Sequence, residues 1–143
     1  MAGEVTLLDT SVLIARLHPA RRGHEAAREL LAAEGELLTT PQILRELVVA
    51  ATRPVEVNGL GIDVSAAVRS VEALLERLTL TPEDARVSWR LRALLAEGRA
   101  RGVKIHGANI VASALTHGAD RIVSANVSDF ERFADLIEIQ PLT

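Results

Sequence analysis

The sequence contains no cysteine and no tyrosine, and its aromatic residues are one tryptophan and two phenylalanines. Without cysteine the chain forms neither a disulfide nor a thiolate zinc site, and it has no Cys nucleophile. So few aromatic side chains are not enough for the base-stacking platform of many modules that bind single-stranded RNA. Any RNA partner is therefore expected to be held through its backbone and its shape.

Long apolar runs are also missing. No run approaches the roughly 20 residues that a membrane-spanning helix needs, and the N-terminal segment has neither the basic start nor the apolar stretch of a signal peptide. We therefore expect a cytoplasmic chain with no membrane anchor. With 143 residues, of which 48% are apolar and 24% charged, the composition predicts one globular domain over residues 1–143.

Basic charge is not in excess. The net charge of -3 argues against a protein that coats nucleic acid with its whole surface. All basic residues except Lys104 are arginines, and six basic residues fall between positions 86 and 104. That segment either supplies phosphate contacts, because guanidinium groups bind phosphate oxygens bidentately, or forms a solvated helix face.

Short apolar segments alternate with segments of helical spacing along the chain. The predicted strands are "VTLLD", "ELLTT", "LTLTP", "DRIVSA" and "LIEIQ". Among the predicted helices, one has Thr40 as its cap with Pro41 in its first turn, another has Ser65 as its cap, and a short one covers "SDFERFA". Because the strands are continuous apolar runs, the alternation predicts an α/β fold whose parallel sheet is covered by helices on both faces.

Acidic residues occupy positions that matter in such a fold. Asp9 ends the first strand and so lies at the carboxyl edge of the sheet, where these folds place their working sites, although it also suits the cap of the next helix. Glu46 lies on a helix with almost no polar face, where a carboxylate is costly unless an arginine or a metal ion pairs with it. Asn126 and Asp129 flank the end of "RIVSA" at the same edge, where each is also common for local reasons.

Together these side chains predict a site built from oxygen atoms alone. Such a site suits Mg²⁺ or Mn²⁺ rather than zinc, and Thr10 and Ser11 are expected to cap the helix and to hydrogen-bond Asp9. Acids clustered without a histidine or serine nucleophile point to metal-assisted hydrolysis. The sequence has no glycine-rich phosphate loop, no G-x-S-x-G motif and no histidine pair at ligand spacing. The pattern therefore favours cleavage of a phosphodiester.

Four segments resemble the PIN-domain family, and within it the VapC-type toxins of bacterial toxin–antitoxin pairs. They are "LLDTSVLIARL", "TTPQILRELVVAATRP" followed by "NGLG", "KIHGANIVASAL" and "HGADRIVSANVSDFERF". They stand in the family's order and cover nearly the whole chain. The resemblance implies a Mg²⁺-dependent endoribonuclease toxin of a type II system, with Mn²⁺ as an alternative ion, on a five-stranded parallel sheet. It also implies a cognate antitoxin, an RNA substrate and a homodimer.

The family's functional positions fall on residues of this chain one by one. The first acid ends the first strand, the second lies on the apolar helix, and a last cluster follows the "RIVSA" strand with a hydroxyl before it. The resemblance thus assigns catalytic roles to Asp9, Glu46, Asn126 and Asp129, metal binding to Asp9, Glu46 and Asp129, and supporting roles to Thr10 and Ser124.

One position departs from the family's pattern. Where the family usually has His-Asp-Ala, this chain has His106, Gly107 and Ala108, and Asn109 is too far along the helix and uncharged. Folding should survive, since glycine is tolerated at a helix entrance, but activity should fall by at least about 10- to 100-fold. Either glycine replaces an encoded aspartate, or the chain is a natural binding module that keeps its antitoxin, and operator DNA through the complex, without cleaving RNA.

Overall fold

The structure, a computed structural model, describes residues 3–143. Its strands are β1 (Val5–Leu8), β2 (Glu36–Thr39), β3 (Thr79–Leu80), β4 (Arg121–Ser124) and β5 (Glu138–Pro141). They form one five-stranded sheet in the order β3-β2-β1-β4-β5, and every neighbouring pair is parallel. The predicted α/β fold with a five-stranded parallel sheet is therefore confirmed.

Six α-helices connect the strands in the described part of the chain. They are α1 (Thr10–Leu17), α2 (His24–Ala32), α3 (Pro41–Thr52), α4 (Val64–Leu75), α5 (Ala85–Ala96) and α6 (Ile105–Thr116). Short 3₁₀ turns cover Val55–Val57, Gly102–Lys104, Val127–Asp129 and Glu131–Phe133. Among residues 3–143, none of the helices has the length and apolar character needed to cross a bilayer.

The order of the strands places helices on both faces of the sheet. From β1 to β3 the chain steps toward one edge, and from β3 to β4 it returns across the sheet, so right-handed crossovers put α1 to α4 on one face and α5 and α6 on the other. The helix contacts agree, since α1 packs on α2 and α3, α3 on α4, and α5 on α6. Successive residues Thr6, Leu7 and Leu8 of β1 are all buried, because both faces are covered.

Helix starts follow the sequence at one predicted cap and depart from it at the other. The hydroxyl of Thr40 accepts a hydrogen bond from the main-chain nitrogen of Ile43 at 3.1 Å, as predicted for the start of α3. Ser65 is not the cap of α4, so that prediction was wrong. Asp63 caps the helix instead, because its carboxylate accepts a hydrogen bond from the main-chain nitrogen of Ala66 at 2.7 Å.

The predicted short helix over "SDFERFA" was also wrong. The segment forms two separate 3₁₀ turns, Val127–Asp129 and Glu131–Phe133, divided at Phe130. Phe130 and Phe133 are both buried in the core. So short a segment has too few internal hydrogen bonds to propagate an α-helix, and the burial of its two aromatic side chains decides its conformation instead.

Candidate active site

Asp9 and Ser124 meet at the carboxyl edge of the sheet. Leu8 pairs with Val123 in the parallel register, so the residues that follow β1 and end β4 lie side by side. Oδ2 of Asp9 accepts hydrogen bonds from the hydroxyls of Ser124 at 2.8 Å and Ser11 at 2.9 Å. Asp9 occupies the N-cap position of α1, but its side chain makes no capping hydrogen bond. Asp9 therefore stands at the cap position, as the local explanation predicted, but no capping bond engages its carboxylate.

The environment of Asp9 disfavours its charged form. Asp9 is buried, with 7% of its surface exposed. Burial raises the pKa of its carboxyl group above the ordinary value, the hydrogen bonds from Ser124 and Ser11 oppose that increase, and the negative charge of Glu46 adds to it. An ionised Asp9 is thus costly in the metal-free protein, and a bound cation relieves that cost.

Glu46 reaches the same region from α3. Oε2 of Glu46 accepts a hydrogen bond from the hydroxyl of Thr10 at 3.2 Å, and Oε1 accepts one from the amide of Gln42 at 3.1 Å. It makes no ion pair with an arginine in the described chain, so that alternative explanation is wrong. The hydroxyl of Thr10 therefore orients Glu46, whereas the expectation was a bond to Asp9.

Gln42 belongs to the site as well, although nothing in the sequence had marked it. It is buried, and besides Glu46 its amide nitrogen donates to the main-chain oxygen of His106 at 3.0 Å. Its amide oxygen accepts from Asn109 at 2.6 Å. Gln42 thereby ties the second acid to the first turn of α6. The single available signal was its position four residues before Glu46, on the same face of α3.

A cavity of about 200 Å³ collects most of the predicted residues. Asp9, Glu46 and Asp129 line it together with Gly107. Asn126 does not line this cavity but lines an adjoining one, which it shares with the same three acids. Asp129 is exposed in its 3₁₀ turn, and Ser124 is buried behind Asp9. The predicted residues therefore come together, with Asn126 at the margin.

Gly107 lies in the first turn of α6, and its backbone does not require glycine. Its φ angle is not in the left-handed region, unlike those of six other glycines. A Cβ atom at this position would stand 3.2 Å from the main-chain oxygen of Asp129 and 3.9 Å from the ring of Phe130. A Cβ at position 107 therefore points at the main chain of Asp129, at the wall of the acidic cavity that Gly107 lines.

The carboxylates of this cavity are the type of ligand that a divalent cation prefers, but too few of them lie close together. Asp9 and Glu46 offer carboxylate oxygens to one cavity, which is the chemistry that Mg²⁺ and Mn²⁺ prefer. Within residues 3–143, however, no three His, Asp or Glu side chains lie close enough together to hold a metal ion. An acid at position 107 would add a fourth carboxylate at the wall of this cavity, beside Asp9, Glu46 and Asp129.

The arginine-rich segment between positions 86 and 104 lies mostly on the surface, and two of its arginines form ion pairs. Arg86 pairs with Asp84, and Arg99 pairs with Asp135, both on the surface. Lys104 lines the acidic cavity. The description as a solvated surface therefore fits most of this segment, while its last basic residue belongs to the site.

The sheet order and the acids at its carboxyl edge define a PIN-like α/β domain. The chain belongs to the PIN domain family, whose sequence model matches residues 6–136. The predicted family is thereby confirmed. No protein of curated function matches the chain in sequence.

Solved structures with this fold include chains of toxin–antitoxin complexes. VapBC2 from Rickettsia felis, bound to a DNA fragment from their promoter, has a TM-score of 0.70 and 17% identity and covers 97% of this chain and 99% of its own. VapBC-1 from nontypeable Haemophilus influenzae has a TM-score of 0.67 and 20% identity, covering 96% and 98%. VapC20 from Mycobacterium tuberculosis, described as a sarcin-ricin loop cleaving toxin, has a TM-score of 0.68 and 17% identity, covering 92% and 95%. At these identities the likeness concerns the fold.

Proposed function

We propose that this chain is a VapC-type toxin whose metal-dependent endoribonuclease site is impaired by glycine at position 107. The observation that carries the proposal is the cavity that Asp9, Glu46 and Asp129 line together with Gly107. Membership of the PIN domain family supports a nuclease, and the similar fold of chains in VapBC complexes supports a toxin. VapC20, which has a similar fold, is described as a sarcin-ricin loop cleaving toxin, and this supports our proposal of RNA as the substrate class.

We assign each residue a role from its position in the cavity. Asp9 and Glu46 would hold the Mg²⁺ or Mn²⁺ ion, since both line the cavity and each is oriented by hydrogen bonds. When bound, the ion would supply an activated water and stabilise charge on a phosphoryl oxygen. Asp129, which the resemblance assigns as a third metal ligand, lies at the exposed rim of the same cavity without completing a three-acid metal group. The amide of Asn126 can donate to a phosphate oxygen of the substrate.

A second candidate is a binding module on the same fold. It binds a cognate antitoxin, and operator DNA through the complex, without cleaving RNA. The absence of a three-acid group close enough for a metal ion among residues 3–143 favours it. In either role we infer a homodimer with an antitoxin partner, since the resemblance to VapC-type toxins implies the dimer and the antitoxin. We also infer that the chain acts in the cytoplasm.

The test is cleavage of total bacterial RNA by this chain and by Gly107→Asp, each with Mg²⁺, with Mn²⁺ and with EDTA. Gly107→Asn is the matched control, because it has the size of aspartate without the charge. Cleavage by the aspartate variant at least about 100-fold faster than by either other form, and only with metal, is the expected result. If the folded aspartate variant cuts no RNA with either ion, the catalytic proposal fails and the binding module is the better description.

A further inference from the structure

A second cavity, which a third cavity connects with the acidic one, is lined by basic and amide side chains. Its volume is about 520 Å³. Two guanidinium groups, two amides and a hydroxyl line it, from Arg21, Arg22, Asn58, Asn126 and Ser11. None of the described residues lining it carries a carboxylate. Its donors are therefore suited to an anion rather than to a metal ion.

A connecting cavity of about 250 Å³ joins the two. It shares Arg21 and Asn58 with the basic cavity, and Asp9 and Asp129 with the acidic one. Arg53, which follows α3, also lines it. A continuous surface therefore leads from the acids to the guanidinium groups, so that one extended ligand can contact both.

The arginines of this surface retain their charge for a ligand. Within residues 3–143, neither Arg21 nor Arg53 forms an ion pair, in contrast to Arg99, which binds two carboxylates. Nη2 of Arg21 donates to the amide oxygen of Asn58 at 3.2 Å. A neutral amide orients the half-buried guanidinium without neutralising it, which is the condition for binding an incoming anion.

The loop that carries Asn58 is held firmly against α3. Asn58 has a φ of 64°, the one positive value of a non-glycine residue in the described chain, and its nitrogen donates to the oxygen of Val55 at 3.1 Å. Gly59 follows, where an added Cβ would stand 1.9 Å from the main-chain oxygen of Arg53. The Asn-Gly pair therefore permits a close backbone approach that fixes Asn58 beside Arg21.

We propose that Arg21, Arg53 and Asn58 form a subsite for the backbone phosphate of single-stranded RNA, next to the phosphodiester that the acidic cavity addresses. Guanidinium groups bind phosphate oxygens bidentately, and few aromatic residues are available to hold bases. The subsite rests on the proposed ribonuclease function. An acidic protein segment has similar charge, and it would be the alternative occupant if the labelled RNA does not bind.

The experiment measures binding of a short, fluorescein-labelled single-stranded RNA of mixed sequence by fluorescence anisotropy. The parent chain is used with EDTA over a range of KCl concentrations, so that binding is observed without cleavage. Arg21→Gln and Arg53→Gln are compared with Arg69→Gln, which removes the same charge from an exposed arginine that bonds Ser65 on α4. Circular dichroism establishes that each variant is folded.

The two subsite variants are expected to raise the Kd about 5- to 10-fold and to reduce the slope of log K against log salt by about 0.7 for each phosphate group that the protein no longer neutralises. Arg69→Gln should change neither quantity. Asn58→Asp is a second variant, which keeps the side-chain shape but sets a carboxylate beside Arg21. It should weaken RNA binding at least as much as Arg21→Gln, because the guanidinium then has an internal partner.

Failure of the subsite and failure of the nuclease proposal are distinguishable. In the Gly107→Asp background, Arg21→Gln should raise KM more than it lowers kcat. If that background cleaves RNA while the arginine variants bind and cleave like their parent, the subsite is overturned and the nuclease remains. If RNA binding depends on the arginines but no variant cleaves RNA, the nuclease proposal is rejected and the subsite proposal is retained. RNA that does not bind at all, or binds equally to Asn58→Asp, also overturns the subsite.

Discussion

The main-chain oxygen of Asp129 lies 3.2 Å from the point where a Cβ atom on Gly107 would stand. The first turn of α6 and the 3₁₀ turn after β4 thus come into close contact at Gly107. A Cβ there points at the main chain of Asp129, at the wall of the cavity that Asp9 and Glu46 also line. A substitution at position 107 therefore requires the main chain at Asp129 to shift by a few tenths of an ångström.

Two substitutions of Gly107 should show how helix propensity and added charge each change the free energy of unfolding. Gly107→Ala is expected to raise the free energy of unfolding by about 0.5 to 1 kcal/mol, because alanine is the better helix former and the exposed turn at Asp129 can yield by the few tenths of an ångström required. Gly107→Asp in EDTA should be less stable than the alanine variant, since it adds a fourth acid to the cavity. Urea unfolding gives both values.

Unfolding of the alanine and aspartate variants with added Mg²⁺ is the control for their comparison in EDTA. Adding Mg²⁺ should stabilise Gly107→Asp more than Gly107→Ala, because only the native state offers the assembled ligands. Equal stability of the two variants in EDTA, with no difference on adding Mg²⁺, would mean that a side chain at position 107 does not face the acids.

Asp9 should make stability depend on pH in the metal-free protein. Burial raises the pKa of Asp9 in the folded chain above its ordinary value of 3.8, so the folded state binds the proton more tightly than the unfolded state does. The resulting stabilisation is present below the unfolded pKa and is lost as the pH rises through the folded pKa. Asp9→Asn should therefore raise the Tm at neutral pH in EDTA, and its advantage should shrink as the solution is acidified.

Thermal unfolding at several pH values measures this effect. Ser11→Ala in the same series is a useful comparison, because it removes a hydrogen bond that lowers the pKa of Asp9 and should enlarge the loss of stability on going to neutral pH. A constant difference in Tm between the parent and Asp9→Asn at all pH values would contradict the assigned direction.

Much of the fold follows from the order of the elements. Once apolar strands alternate with helices, right-handed crossovers leave few arrangements, and the acid that ends the first strand must then stand at the working edge of the sheet. Asp9 and Asp129 were accessible to prediction for that reason. Glu46 was accessible because an acid on an apolar helix is conspicuous without any knowledge of its partners.

Contacts between distant segments were not accessible in this way. Gln42 bonds residues 64 and 67 positions away, and Arg21 bonds Asn58 across 37 positions. No local period or motif marks such pairs, because the packing of whole helices decides them. The cap of α4 failed for a smaller reason, since Asp63 and Ser65 both have good capping side chains and only the backbone geometry chooses between them.

Removal of Gln42 should destabilise the chain and disturb its second acid. Gln42→Ala removes the hydrogen bonds that its amide nitrogen donates to the main-chain oxygen of His106 and to a carboxylate oxygen of Glu46, which should cost about 2 kcal/mol in urea unfolding. Gln140→Ala on β5 is the matched control, since that side chain makes no hydrogen bond in the described chain and should shift stability by no more than about 0.5 kcal/mol.

The same substitution has a catalytic consequence that a purely structural role would not have. In the Gly107→Asp background, Gln42→Ala should lower kcat at least about 10-fold at saturating Mg²⁺, because Glu46 is then oriented by Thr10 alone. An unchanged kcat in a folded variant would limit Gln42 to holding α3 and α6 together.

Gly59 should be the least replaceable glycine of the loop that carries Asn58. A Cβ at Gly59 would stand 1.9 Å from the main-chain oxygen of Arg53, so alanine must push the loop away from α3. Gly59→Ala is expected to cost about 2 to 3 kcal/mol in urea unfolding. Gly98→Ala is the comparison, because that glycine has a positive φ but open space around it, and should cost about 1 kcal/mol.

The Gly59 variant also tests whether loop placement matters for RNA. Displacing the loop moves Asn58 from Arg21, so at temperatures where both proteins are folded Gly59→Ala should weaken RNA binding while Gly98→Ala leaves it unchanged. The alanine at 98 is remote from the subsite and carries only backbone strain. A loss of affinity in both variants would trace the effect to general stability, whereas a loss in Gly59→Ala alone locates it at the turn that holds Asn58 against α3.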